Sequence, residues 1–199
     1  MKTERWGVSC LLFLALGLAT VTASCQEGPT AAGVRLLDLK GREVRPLQLA
    51  TGAEATVFLF TRADCPISNR YAPEVERLFE KFSPHGVAFY LVYLDREEPT
   101  KVIRQHVRDY GYRTGVLRDP EHRLADLTGA EVTPEAAVFV KGGKMVYRGR
   151  IDDRYVDFGR ARAEPRRRDL ELALEDIMGG RPVKISRTRA VGCFIADLR

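Results

Sequence analysis

The chain is poor in the residues that hold metal ions and in the runs that cross membranes. Its 199 residues include three histidines, His85, His106 and His122, and none has metal-ligand spacing with cysteine. Each reads as a surface or helix-end residue, so no metal and no cofactor is expected. A copper-relay site would need two cysteines close together near position 65 plus a histidine, and only Cys65 is there. Aromatics do not interleave with the basic residues, which argues against nucleic acid as a partner. No apolar stretch reaches the roughly 20 residues of a comfortable membrane-spanning helix. Internal repeats and low-complexity tracts are absent. Cysteine itself is scarce, with four in all: Cys10, Cys25, Cys65 and Cys193.

What is present suits a soluble globular protein, with 45% hydrophobic and 30% charged residues. The first 25 residues differ from the rest. Lys2 and Arg5 precede an apolar stretch over residues 8–21, followed by Thr22, Ala23, Ser24 and Cys25. That is the layout of a bacterial export signal over residues 1–24. Two outcomes follow at its end. Cys25 becomes a lipidated N-terminus and a membrane tether, although Thr22 stands where leucine is usual, or ordinary cleavage follows Ala23. Loss of the leader removes two positive charges and one negative, so the net charge falls from +5 to +4. Much of the positive charge lies over residues 154–189, where interleaved acids make a solvated face the simpler reading than an anionic partner surface.

Residues 25–33 read as a linker, and residues 34–39 and 43–49 as a hairpin around Gly41. Residues 55–61 form a near-continuous apolar run, as in a strand buried on both faces. Residues 69–82 carry helical spacing, 86–94 a second buried strand, and Pro99 opens a helix that stops at Gly111. A short strand over 116–118, a short helix over 122–127 and a hairpin over 133–150 follow. A last helix over 166–178 ends at Gly179 and Gly180. Strands alternating with helices, then a closing hairpin and helix, predict a mixed sheet covered on both faces.

The chemistry centres on Cys65, placed where the first long strand turns into a helix. A cysteine there meets unpaired backbone N–H groups and the positive helix end, which favour thiolate. Asp64 opposes that shift and Arg62 offsets Asp64. An exported protein lives under oxidising conditions, so Cys65 and Cys193, the two cysteines of the folded body, are candidates for a disulfide.

This order of elements, with Cys65-Pro66-Ile67-Ser68 at the first strand-to-helix junction, resembles the thioredoxin fold over roughly residues 34–178. Val132-Thr133-Pro134 ahead of a strand is similar to the loop where that family holds a cis-proline against the active sulfur. The N-terminal hairpin resembles the redoxin group, which includes the peroxiredoxin and alkyl hydroperoxide reductase–thiol-specific antioxidant proteins. The fold so implied is a three-layer α/β/α sandwich over residues 34–180 with a C-terminal extension over 181–199.

The resemblance implies an oxidoreductase acting on protein thiols and disulfides, with Cys65 as nucleophile and Thr133 and Pro134 presenting backbone to a partner segment. Thr61 echoes the peroxiredoxin Thr-x-x-Cys-Pro but with one residue too many, and Arg62 and Arg148 are candidates for its arginine. A thiol peroxidase acting on peroxide therefore stands as an alternative. Ser68 replaces the second cysteine of Cys-x-x-Cys and is a donor to the Cys65 sulfur. Without a local partner, a mixed disulfide at Cys65 persists unless another thiol resolves it. Cys193, in the apolar island of residues 190–195, is the resolving candidate. A static bridge in a non-catalytic binding module, closing a loop of about 129 residues and worth up to ~4–5 kcal/mol, is the rival, and no contact at all is the third case. Asp152 and Asp153 read as turn caps.

Overall fold

The computed structural model describes residues 31–195. The export signal, Cys25 and its lipidation lie outside the described residues. In chain order the strands are β1 (Leu36–Leu37), β2 (Glu43–Val44), β3 (Ala55–Thr61), β4 (Val87–Tyr93), β5 (Gly115–Arg118), β6 (Val132–Thr133), β7 (Glu135–Val140), β8 (Met145–Gly149), β9 (Tyr155–Asp157), β10 (Arg160–Ala161) and β11 (Cys193–Phe194). The helices are α1 (Pro46–Leu49), α2 (Pro66–Arg70), α3 (Ala72–Phe82), α4 (Thr100–Asp109), α5 (Arg123–Thr128) and α6 (Asp169–Met178).

Seven strands form one mixed sheet in the order β2-β1-β5-β4-β3-β7-β8. Central β3 runs parallel to β4 and antiparallel to β7, and all seven of its residues are buried. Alternation along β3 feeds two cores, because successive side chains leave a strand on opposite faces. Val57 and Leu59 pack with Val75 and Leu78 of α3 and Leu170 and Leu174 of α6. Phe58 and Phe60 pack on the other face with Leu117, Leu124 of α5 and Phe139. This is the three-layer thioredoxin-like sandwich that the order of elements implied.

Three local differences have physical causes. The expected helix over 69–82 is divided at Tyr71. Pro73 has no N–H to give the Asn69 carbonyl, so α2 closes with a tight Tyr71 N–H to Ser68 bond and α3 restarts with Val75 N–H to Tyr71. The second hairpin strand is cut short after Val44, since Pro46 suits the first turn of a helix and α1 follows. His106, in the last turn of α4, and His122, at the N-cap of α5, are at helix ends as expected but are buried: His106 bonds Tyr93 Oη at 2.6 Å through Nδ1, and His122 Nε2 lies 3.1 Å from the Leu94 carbonyl. His85 is exposed.

The C-terminal extension packs on the body. Ser186 and Thr188 exchange backbone hydrogen bonds with Arg148, covering the outer edge of β8, which would otherwise be left unpaired. Thr188 lies so close that any side chain at Gly149 would strike it. The chain then crosses to β6, where β11 adds antiparallel with Cys193 opposite Thr133 and Phe194 opposite Val132. Ile195 ends this segment buried in the second core, at 2% exposure.

Candidate redox site

Cys65 leaves β3 through a turn, its N–H bonding the Arg62 carbonyl, and sits at the start of α2. Its sulfur accepts the Ser68 N–H at 3.5 Å, one of the unpaired donors of the helix start. The Thr133–Pro134 peptide is cis, and the Thr133 carbonyl lies 3.2 Å from the Cys65 sulfur as the acceptor of its thiol proton. The Ser68 and Thr133 hydroxyls are buried with no hydrogen-bond partner among the described residues. Opposite them, Cys193 Sγ stands 2.9 Å from Cys65 Sγ, and both are free thiols. A disulfide bond measures about 2.05 Å, so closure moves the sulfurs by less than an ångström. Cys65, Ser68, Thr133, Pro134 and Cys193 are thus gathered at one place.

The two sulfurs are electrostatically unequal. Burial alone raises the Cys65 pKa, but the polar groups of Cys193, Ser68 and Thr133 around the sulfur outweigh it, and the net direction is below an ordinary thiol. Cys193 goes the other way. Burial first, then its bond to Cys65 and the charge there, push it up to about 12. Of the two sulfurs Cys65 therefore gives up its proton the more readily, and the thiolate is the form that attacks disulfides.

Neither candidate arginine bonds the Cys65 sulfur. Arg62 pairs with Asp64 at 2.9 Å, which neutralises the acid beside the cysteine. Arg148 is held by Glu135 at 3.1 Å. Thr61 is buried at the end of β3, pairing with Tyr93 across the sheet. Asp152 accepts the Tyr71 hydroxyl and the Arg154 N–H, while Asp153 accepts the N–H groups of Arg166 and Arg167. Both act as turn caps. No group of three metal-ligating side chains occurs among the described residues.

Sequence reasoning missed the supports beneath the turn. Asn69 donates to the Ala63 carbonyl at 2.9 Å, and its amide oxygen lies 2.7 Å from His106 Nε2. Glu98, on the loop after β4, accepts the Ala63 N–H at 3.1 Å and is buried, with its other oxygen unpartnered. Burial chiefly, then Asp95 and Asp64, push its pKa up to about 7. In the unfolded chain it titrates near 4.5, so the folded state holds this proton more tightly. Stability therefore falls as pH rises through the window from about 4.5 to 7. Glu98→Gln is expected to flatten that fall in denaturant titrations at pH 5 and pH 8. An unchanged pH slope would show that Glu98 does not carry it.

The sandwich and the cysteine beside a cis-proline define the class: a thioredoxin-fold redoxin, a thiol-based oxidoreductase. The profile of the AhpC/TSA family matches residues 28–148, and the chain belongs to that family. The matched region stops short of α6 and Cys193. An uncharacterized conserved protein from Geobacillus kaustophilus is 27% identical, over 84% of this chain and 90% of that one, with a TM-score of 0.72. A hypothetical protein from Sinorhizobium meliloti 1021 is 23% identical over 84% and 92%, with a TM-score of 0.70. A Chlorobium tepidum structure provisionally described as a thiol:disulfide interchange protein, DsbE, shares 20% identity over 61% and 82%, with a TM-score of 0.51, and matches in fold. Among curated proteins nothing matches the chain.

Proposed function

We propose that this protein is an exported thiol–disulfide oxidoreductase in which Cys65 attacks and Cys193 resolves. The observation that carries the reading is the 2.9 Å approach of two free thiols with opposed pKa shifts. In the reducing direction the Cys65 thiolate attacks one sulfur of a substrate disulfide. The substrate S–S bond breaks, its electron pair leaves on the other sulfur, and a mixed disulfide forms at Cys65. Cys193 then gives its proton to the departing thiolate and attacks Cys65, which releases the second substrate sulfur as thiolate. The substrate gains two electrons, the pair of cysteines loses two, and an external dithiol returns them. The Ser68 N–H and the Ser68 and Thr133 hydroxyls stabilise the thiolate, and the Thr133–Pro134 backbone positions the partner.

Residues 34–180 act as the redoxin domain and 181–199 as an extension that supplies the second sulfur. The leader layout supports export to an oxidising compartment, with Cys25 as a membrane tether if lipidated. No helix among the described residues is long and apolar enough to cross a membrane.

Peroxide chemistry is the reading to separate from this one, since both begin at Cys65. Against it stand the interrupted Thr61 motif and the engagement of Arg62 and Arg148 with carboxylates. Stopped-flow mixing of the reduced chain with a small aromatic disulfide and with hydrogen peroxide decides. The expected result is a second-order rate at least ~100-fold higher for the disulfide. A peroxide rate equal to or above the disulfide rate would favour the peroxidase.

A further inference from the structure

Cys65, the proposed nucleophile, is only 1% exposed. A protein disulfide cannot reach it while residues 190–195 stay where they are. Those residues occupy the site as a bound peptide would. Cys193 and Phe194 among them add to β6 as a two-residue strand in antiparallel register and bring a cysteine to the attacking sulfur. Ile195 N–H bonds the Glu131 carbonyl at 2.9 Å, continuing the ladder by one residue.

The fit is selective at two positions. At Gly192 the backbone passes directly over the cis-peptide: an added Cβ would strike the Thr133 carbonyl oxygen and sit 2.6 Å from its carbon. The obstacle is main chain held in place by β6 and β7, so it cannot swing aside as a side chain would. Two residues after the cysteine, Ile195 enters the core with Phe58, Phe60 and Leu124, whereas Phe194 between them is 63% exposed. Inward and outward residues alternate, which is how an added strand is read by the pockets it crosses. The anchor at Ser186 and Thr188 is separate from this segment, so residues 189–195 can leave while the chain before them stays on β8.

We propose that residues 190–195 are the resident ligand of a peptide-binding groove on β6. That groove accepts in their place an extended polypeptide segment with glycine before its cysteine and a branched aliphatic residue two positions after. The proposal deepens the exchange reading and rests on it for the role of the bound cysteine. Phosphate, lipid or nucleic acid has no part in it, because the recognition is by backbone pairing, a steric wall and an apolar pocket. A second copy of this chain, whose tail carries the same pattern, is one polypeptide that meets these terms.

The test reads alkylation of Cys65 by iodoacetamide, followed by peptide mapping so that Cys10 and Cys25 do not contribute. In full-length Cys193→Ser protein, Cys65 is expected to react at least tenfold more slowly than in the same chain in denaturant. Adding Gly192→Val should raise the native rate at least tenfold, with thermal unfolding confirming that the body stays folded. If that variant does not fold, Ile195→Ser frees the same strand from its other end and carries the same expectation. A synthetic peptide spanning residues 187–199, with serine at 193, should restore protection to the Gly192→Val protein. The same peptide with valine at 192 should not. Equal rates with and without Gly192→Val, or equal protection by both peptides, would overturn the proposal. These readouts need no electron transfer. Protection as expected in a protein that reduces no disulfide would keep the groove and sink the exchange reading alone.

Discussion

Cys65→Ser is expected to lower the second-order rate of disulfide reduction by about a thousandfold or more while leaving the fold intact. Loss of an attacking group in an enzyme costs on that scale, because the remaining site binds without reacting. The serine hydroxyl stays protonated under conditions in which the Cys65 thiol is held low by Cys193, Ser68 and Thr133. The sulfur is buried beside small polar groups, and serine replaces it with little change in volume, so the thermal midpoint should move by only a few degrees. A dithiol-coupled assay against a small disulfide checks the rate, and a melt checks the fold. Residual activity within tenfold of the parent would mean that chemistry occurs elsewhere on the chain.

Cys193→Ser separates the two steps. The first attack survives, since Cys65 keeps Ser68 and Thr133, but the resolving thiol is gone. Turnover is expected to fall at least ~100-fold while a covalent adduct accumulates at Cys65, and mass spectrometry should find one substrate half per chain. The pH profile moves as well. Cys193 is the leading donor among the groups that lower the Cys65 pKa, and a serine hydroxyl is a poorer match for the same position. Full turnover without an adduct would assign resolution to an external thiol and reduce Cys193 to packing.

How far such a site can be read in advance depends on the kind of information each residue carries. The β3 strand announces itself, because an apolar run bounded by turn signals has one economical home, between two layers. Cys65 follows from its place at the end of that run, and the Thr133–Pro134 loop from its resemblance to a known arrangement. The break at Tyr71 is also written locally, in the missing N–H of Pro73.

Other parts of the site are not local at all. β11 is two residues long and has no periodicity to display; it exists because β6 offers an unpaired edge and Gly192 lets the backbones meet. Cys193 is therefore legible as a candidate by count and illegible by position. Glu98 looks like any charged loop residue. Its burial under the 62–65 turn, and the raised pKa that results, depend on how the β4–α4 loop folds back. His106 misleads for the same reason. On α4 it sits among polar neighbours in sequence, yet the helix turns it toward Tyr93 and Asn69.

On the proposed mechanism Cys65 and Cys193 cycle between dithiol and disulfide during turnover. The most direct measurement mixes reduced full-length protein with one equivalent of a disulfide substrate, quenches with acid, and maps the cysteine peptides. A cross-link joining the Cys65 and Cys193 peptides is expected to form as the substrate thiols appear, one link per disulfide reduced, and to be reversed by a dithiol. Release of substrate thiols with both cysteines still free, or a cross-link that no dithiol reverses, would contradict it.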